Sequence, residues 1–487
     1  MLLFNQVESC RHIMRLFSNV TTSFFILTIV FACIFSNASR ANIPDLEANK
    51  DERALSNPSY VLGQHWFRKL NGSRALIEFP PAYDYLKNAL SHLLPQTNLY
   101  NTKVEMTLLN STQSNAFVIP GNHLFIYSDI LEMINDEEMF YGLLAHEIAH
   151  LDLRHYERQS QHSGEELQKA LLLLGAGIAA ALAGADSDTT TALWLGGIAN
   201  QAENRLTYSR AQEQEADRRG RELLVDARLS PEGMTKLFRA FFQRALGRPK
   251  LEFLSTHPSP DTRLSDSFST EPKDTLLQSR PDTDFEFFRA SVLAYRAGLE
   301  EHPLAYLDQV IPHSDAKNFA KGLFSYITQS PHQALMYLAD VDKPNTFTVY
   351  LQSLSYEASG QRDKALDIIR SQLELNPNNL LFSLPYAQIT NALPLRGASI
   401  FDESYYLYEK RLIWRSKIHY FKANNNTAMT LNYRAQLDFS QGKDTTAQHL
   451  IKRAENNASL DEQTLIENTK RYFDLIKEVE KKQGLAP

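Results

Sequence analysis

"GLLAHEIAHLDLRH", Gly142 to His155, sets three histidines and a glutamate inside an apolar run. On a helix His146 and His150, four residues apart, stand one above the other on the same side, about 6 Å apart at Cβ and able to share one ion. Glu147 follows His146 directly and points roughly a quarter turn round, toward water on the ion's open side. Leu143, Leu144, Ile148, Ala149 and Leu151 form the apolar flank that buries such a helix. Neutral imidazoles suit zinc, and a catalytic zinc takes three protein ligands and keeps a fourth place for water. HExxH thus encodes two ligands and a base. A helix whose histidines merely find hydrogen-bond partners is the plainer reading, and a third ligand separates the two.

Two places could supply that ligand. The extended pattern HExxHxxGxxH fails here, because Leu153 stands where its glycine belongs and Tyr156 where its last histidine belongs. The other place is "YSRAQEQEADRRGRELL", Tyr208 to Leu224, where Glu213 and Asp217 share a helical face. On spacing alone this stretch reads slightly better as a solvated face laced with i,i+4 charge pairs.

HExxH followed by ExxAD on a later helix resembles the zinc metallopeptidases that include HtpX and the CAAX prenyl proteases. The resemblance implies Glu213 as the third zinc ligand and Asp217 as a carboxylate orienting a liganding histidine, a common arrangement behind metal-bound imidazoles. Upstream, "NAFVIPGNHLFIYSDIL" from Asn115 is similar to the family's NAFxxPGG stretch, with Asn122 for the second glycine and Ser128-Asp129 for the usual Thr-Gly. Downstream, "STHPSPDTRL" from Ser255 is similar to its STHPxxxxR segment and carries over His257 and Arg263.

Together with the leader and the tail described below, the chain is most similar to periplasmic members of this family that act in outer-membrane assembly. The resemblance implies a periplasmic endopeptidase with one zinc per subunit that cleaves misfolded or stalled outer-membrane β-barrel proteins and assists their assembly. Its implied partners are the β-barrel assembly machinery and unfolded barrel precursors. In that reading His146, His150 and Glu213 hold the zinc, which activates water, while Glu147 is the general base. Arg263 or His257 stabilises the oxyanion; alternatively His257 fills the fourth zinc position and holds the enzyme latent. The rival function is an assembly chaperone or adaptor in which the tail does the main work and proteolysis is minor.

With 43% hydrophobic and 22% charged residues, the 487-residue chain has the composition of a globular protein of about three domains. Its formal charge of −7 and the lack of any Lys/Arg block argue against a nucleic-acid partner. Arg11 and Arg15 precede "FFILTIVFACIF" (Phe24 to Phe35) and then "SNASRA", the order of a secretory signal cleaved near Ala38 or Ala41. Residues 1–41 are therefore read as a signal peptide leading to the periplasm. Cys10 and Cys33 both fall within it, so the mature chain has no cysteine and depends on packing and metal rather than disulfides. Cleavage after Ala41 removes three arginines and one glutamate, taking the charge from −7 to −9.

The expected fold is an α+β zincin-like metallopeptidase domain over 42–270, mostly helical with a small sheet, then a linker at 271–284 and an all-α tetratricopeptide-like solenoid over 285–487. Strands are expected at "VEMTLL", "AFVIP" and "HLFIYS", with a tight hairpin at Gly121-Asn122. "HLFIYS" or its partner is expected to align substrate by adding a strand, although an ordinary core hairpin is the reading without the family. "ALLLLGAGIAAALAGA" (Ala170 to Ala185) and "TALWLGGIA" fall short of the roughly 20 residues that span a bilayer and read as buried or lid-like helices. Peripheral contact of this stretch with membrane or client stays open. Tyr356, Gly360, Ala365 and Pro377 fit the tetratricopeptide spacing, with weaker copies around Ala305, Ala334 and Ala447.

Overall fold

The structure is a computed structural model that describes residues 53–158, 208–247, 257, 283–394, 399–400 and 402–485. The chain divides into two units, Met1–Asp51 and Glu52–Pro487, and only the second contains described residues. The signal-like leader, the apolar stretch at 170–199, most of the 271–284 linker and Arg263 lie outside the described residues.

The fold is mostly helical with one small sheet. Helix α1 (Pro58–Asn71) starts where Asn57 caps the Ser59 N–H and proline occupies the first turn, and α2 (Pro80–Leu93) likewise opens on prolines. Three strands follow, β1 (Glu105–Leu109), β2 (Ala116–Ile119) and β3 (His123–Tyr127), in the order β1-β3-β2. β3 is central: parallel to β1, with Glu105 opposite His123, and antiparallel to β2, with Ile119 opposite His123. The hairpin turns on Gly121 (φ 84°) and Asn122 (φ 59°), consecutive left-handed residues of the sort that glycine and asparagine adopt most readily. Of the two strands proposed to receive substrate, "HLFIYS" is thus paired on both sides, and among the described residues no strand pairs with the other edge of its hairpin partner β2.

Every strand residue is buried, yet the period of two persists. Phe117, Ile119, Phe125 and Tyr127 join Phe67 and Leu70 of α1 on one face. Ala116, Val118, Leu124 and Ile126 join the main core on the other. That core runs against α3 (Glu137–Asp152), whose residues from Met139 to His150 are all buried. Asp136 caps α3 by accepting from the Met139 N–H, and Glu137 and Glu138 complement the positive end of the helix dipole. Two further helices, α4 (Arg210–Asp226) and α5 (Glu232–Gly247), pack on α3. Their approach is close enough to require glycine: a Cβ at Gly142 would stand 2.7 Å from the Gly233 backbone, and one at Gly220 would stand 3.2 Å from the Ala145 carbonyl oxygen.

The rest of the chain is helical: α6 (Thr283–Ala297), α7 (Pro303–Val310), α8 (Ser314–Ile327), α9 (Pro331–Ala339), α10 (Thr346–Ala358), α11 (Arg362–Leu375), α12 (Leu380–Thr390), α13 (Leu407–Ala423), α14 (Thr427–Ser440), α15 (Asp444–Glu455) and α16 (Leu460–Lys482). Each packs on the helix before or after it. Around Gly360 (φ 78°) α10 turns into α11, which packs through the fully buried Ala365. Ala334 and Ala447 are buried in the same manner. Ala305 is exposed, and Leu307 is the buried residue of α7, so the repeat-like packing there does not run through the alanine.

The helical region does not hang free of the sheet and α3. One continuous core extends from Ile77 to Phe382. The last helices also return to α1, where the buried Arg68 guanidinium donates to Glu480 at 2.7 Å, to Asp444 and to the Phe439 carbonyl at 3.2 Å. His65 lies 3.2 Å from the same Glu480 carboxylate.

Candidate active site

Four buried side chains from three segments converge at the buried faces of α3 and α4. His146 and His150 come from α3, Glu213 from the first turn of α4, and His257 from a residue beyond α5. One donor atom from each lies within 4.8 Å of the others. Nε2 of His146 is 3.1 Å from Nε2 of His150 and 3.3 Å from Nδ1 of His257. Glu213 Oε1 is 3.0 Å from His257 Nδ1 and 3.4 Å from His150 Nε2, and its Oε2 is 3.7 Å from His146 Nε2.

Donors of a tetrahedral zinc site, with bonds of about 2.0–2.1 Å, sit about 3.3 Å apart. The spacings here cluster around that value, and three imidazoles with one carboxylate form a borderline donor set suited to zinc. Glu147, Glu213 and Asp217 are sunk together with little access to water. Carboxylates crowded in a dry interior are costly unless a cation or hydrogen bonds compensate them. The residues present therefore fit a divalent metal.

The local sequence explains the convergence. Ser209 and Gln212 form a capping box that starts α4 just before Glu213, and Gly220 lets the helix lie against the α3 backbone. Glu213 and Asp217, one turn apart, then face α3 together. Asp217 Oδ1 lies 3.0 Å from His146 Nδ1, on the side of the ring away from the cluster. Glu147 is fully buried beside the cluster, its Oε1 3.6 Å from His257 Nε2.

The walls are aromatic. Tyr208 stacks on His150 with centroids 3.9 Å apart, and Phe238 meets His146 edge-on at 6.4 Å. Burial drives the His150 imidazole well below its usual range, against the pull of Glu213, and so favours the neutral form. Burial also raises the Tyr208 hydroxyl well above its ordinary value, with Glu147 adding to the rise. His155 stands behind His150 with its Nδ1 2.9 Å from His150 Nδ1, and burial pulls it down to about 4.

The structure thus gathers every candidate site residue except Arg263, which lies outside the described residues. Sequence reasoning missed Tyr208 and the supporting place of His155. Tyr208 carries no motif, and the close spacing of His155 to His150 was weighed only for direct ligation.

Residues 82–268, which include the helices that carry the cluster, match the model of Peptidase family M48. The chain is similar to the Beta-barrel assembly-enhancing protease of Escherichia coli (strain K12), 26% identical over 274 residues that make up 56% of each chain. It is similar to the Putative beta-barrel assembly-enhancing protease of Vibrio cholerae serotype O1, 25% identical over 288 residues, 58% of each chain. The Mitochondrial metalloendopeptidase OMA1 of Schizosaccharomyces pombe is 28% identical over 198 residues, 40% of this chain and 54% of that one. The chain spans about half the length of the curated relatives it matches. These likenesses support a metalloendopeptidase of the M48 type, similar to the β-barrel assembly-enhancing proteases.

Proposed function

We propose that this protein is a periplasmic zinc metalloendopeptidase that cleaves misfolded or stalled outer-membrane β-barrel proteins and assists their assembly. The observation that carries the reading is the convergence of His146, His150 and Glu213, with Glu147 beside them, in one buried cluster. A zinc ion bound there supplies Lewis-acid chemistry, polarising a peptide carbonyl and making water acidic at neutral pH. Glu147 takes the proton of the attacking water and returns it to the leaving amine. Asp217 holds His146 in the tautomer that turns the Nε2 lone pair toward the cluster, and Arg263 or His257 stabilises the oxyanion. The edge of β2, which no strand covers among the described residues, aligns an extended substrate by adding it as a strand.

The leader sequence supports the periplasmic assignment, and among the described residues no helix is long and apolar enough to cross a membrane. The helical tail is read as a tetratricopeptide-like surface that docks on the barrel-assembly machinery. Metal analysis of the purified chain is expected to find one zinc per subunit, and the loaded protein to cleave an unfolded barrel precursor. A chain that takes up no transition metal on dialysis against zinc would overturn the reading.

As an alternative to a role at the oxyanion, His257 would hold this site in a resting form. Its Nδ1 stands within 3.3 Å of both His146 and Glu213, so with a zinc ion bound it would offer a fourth protein donor in the place otherwise open to water. His257→Ala is expected to raise cleavage several-fold while zinc remains bound. Unchanged proteolysis together with an unchanged metal coordination shell would remove the latent form.

A further inference from the structure

Behind the cluster, a row of three side chains runs away from His150. His150 Nδ1 is 2.9 Å from His155 Nδ1, and His155 Nε2 is 3.1 Å from Glu215 Oε2. Arg158 Nη2 donates to the same oxygen at 2.5 Å. The His155 side chain is wholly buried, whereas Glu215 is 38% exposed, so the row leads from the cluster to the surface.

Proton positions along the row follow from the donor set. An imidazole that turns the Nε2 lone pair toward an ion carries its one proton on Nδ1. In His150 that N–H points at His155 Nδ1, which must then be the acceptor. The proton of His155 is left on Nε2, where it is donated to the Glu215 carboxylate. The opposite tautomer of His155 would set two N–H groups against each other at 2.9 Å. His146 needs no such intermediary, because Asp217 reaches its Nδ1 directly.

The backbone is shaped for this contact. Helix α3 stops at Asp152, and Arg154 takes a left-handed conformation (φ 51°) that turns the chain back and brings His155 under His150. A non-glycine residue in that region carries a cost that the surrounding structure must offset. Gln212 Nε2 donates to the His155 carbonyl at 3.3 Å and ties the turn to α4.

We propose that His155 is a positioning residue: an imidazole relay, set by Glu215, that fixes the tautomer and ring plane of His150 toward the metal. This rests on the metal-site reading above. His155 touches neither substrate nor metal and acts only through His150. The two imidazoles of the HExxH helix are accordingly held by different devices, a carboxylate for His146 and a relayed carboxylate for His150.

The test uses the full chain and zinc alone, with affinity read by competition against a chromophoric chelator. His155→Leu removes the acceptor, His155→Asn keeps an oxygen close to where Nδ1 stood, and Glu215→Gln loosens the far end. Thermal unfolding of the metal-free variants reports on folding separately. His155→Leu is expected to weaken zinc binding about 10- to 100-fold, the scale of losing a metal ligand's outer partner. His155→Asn is expected to recover most of that loss, with Glu215→Gln between the two. Nitrogen-15 NMR of the zinc-loaded wild type is expected to find protons on His150 Nδ1 and His155 Nε2.

A folded His155→Leu that binds zinc as tightly as wild type, or a proton on His155 Nδ1, overturns the relay while leaving the metal site standing. If His155→Leu does not fold, the NMR assignment and Glu215→Gln decide the matter. Wild-type protein that binds no zinc at all would sink the metal-site reading and the relay with it.

Discussion

Glu147→Gln is expected to abolish measurable cleavage of an unfolded substrate while leaving the fold and the metal in place. The substitution preserves size and the capacity for hydrogen bonding, but an amide cannot accept the proton of an attacking water. Positioned general bases contribute about 10²–10⁴-fold to such reactions, so the loss should reach the lower limit of most protease assays. Metal content should stay at wild-type level, because Glu147 is absent from the four donors that converge within 4.8 Å of one another. Replacing a fully buried carboxylate by an amide also removes a like charge from beside Glu213 and Asp217, so the metal-free variant should melt no lower than wild type. The measurement pairs a cleavage time course with zinc stoichiometry. Full-rate cleavage by the variant would dismiss Glu147 as the base, while assembly assistance that survives the loss of cleavage would identify an adaptor role in the tail.

What made this site readable in advance was its local part. His146, Glu147 and His150 lie within one turn and a half of a single helix, so helical geometry alone puts the two imidazoles together. Glu213 could not be reached that way: its approach depends on how α4 packs against α3 at Gly220, a tertiary fact that spacing does not contain. Only the ExxAD resemblance pointed to it. His155 shows the opposite failure, for its proximity to His150 in sequence was plain, but its use depends on a left-handed turn at Arg154 that the residue type does not announce. The hairpin at Gly121-Asn122 was legible because those residue types favour positive φ, whereas the order β1-β3-β2 was not, since alternation says nothing of neighbours. The return of the last helices onto α1 was equally hidden, because a repeat pattern specifies contacts between adjacent helices and not where the arc ends.

That return supplies the largest expected effect on stability. Arg68 and Glu480 are separated by 412 residues and are both buried, with His65 and Asp444 completing the cluster. Removing one partner of a buried ion pair costs up to about 3–5 kcal/mol, and less where the survivor keeps a partner, as Arg68 keeps Asp444 and Glu480 keeps His65. Glu480→Ala is therefore expected to lower the free energy of unfolding, read from denaturant titration, by up to that amount, and Arg68→Ala similarly. The double variant Arg68→Met with Glu480→Leu should lose less than either, since it removes both buried charges and the Asp444 left behind is partly exposed and near Lys69. The pair also sets an acid limit. Burial pushes the Glu480 carboxyl up, but the His65 hydrogen bond and the Arg68 charge more than offset this and hold it below the usual carboxylate range. Glu105, buried against Lys103 and Arg53, is held low in the same sense. For a group depressed on folding, the stabilisation is fully present above the unfolded value of about 4.3 and is lost as pH falls through the folded one. Burial keeps His123, His150 and His155 neutral in the fold, so wild-type stability should begin to fall below about 6.5, with the carboxylates adding a further decline below about 4 that should be smaller in the Glu480→Leu double variant. Parallel acid profiles for the two proteins would show that this junction is not what acid breaks.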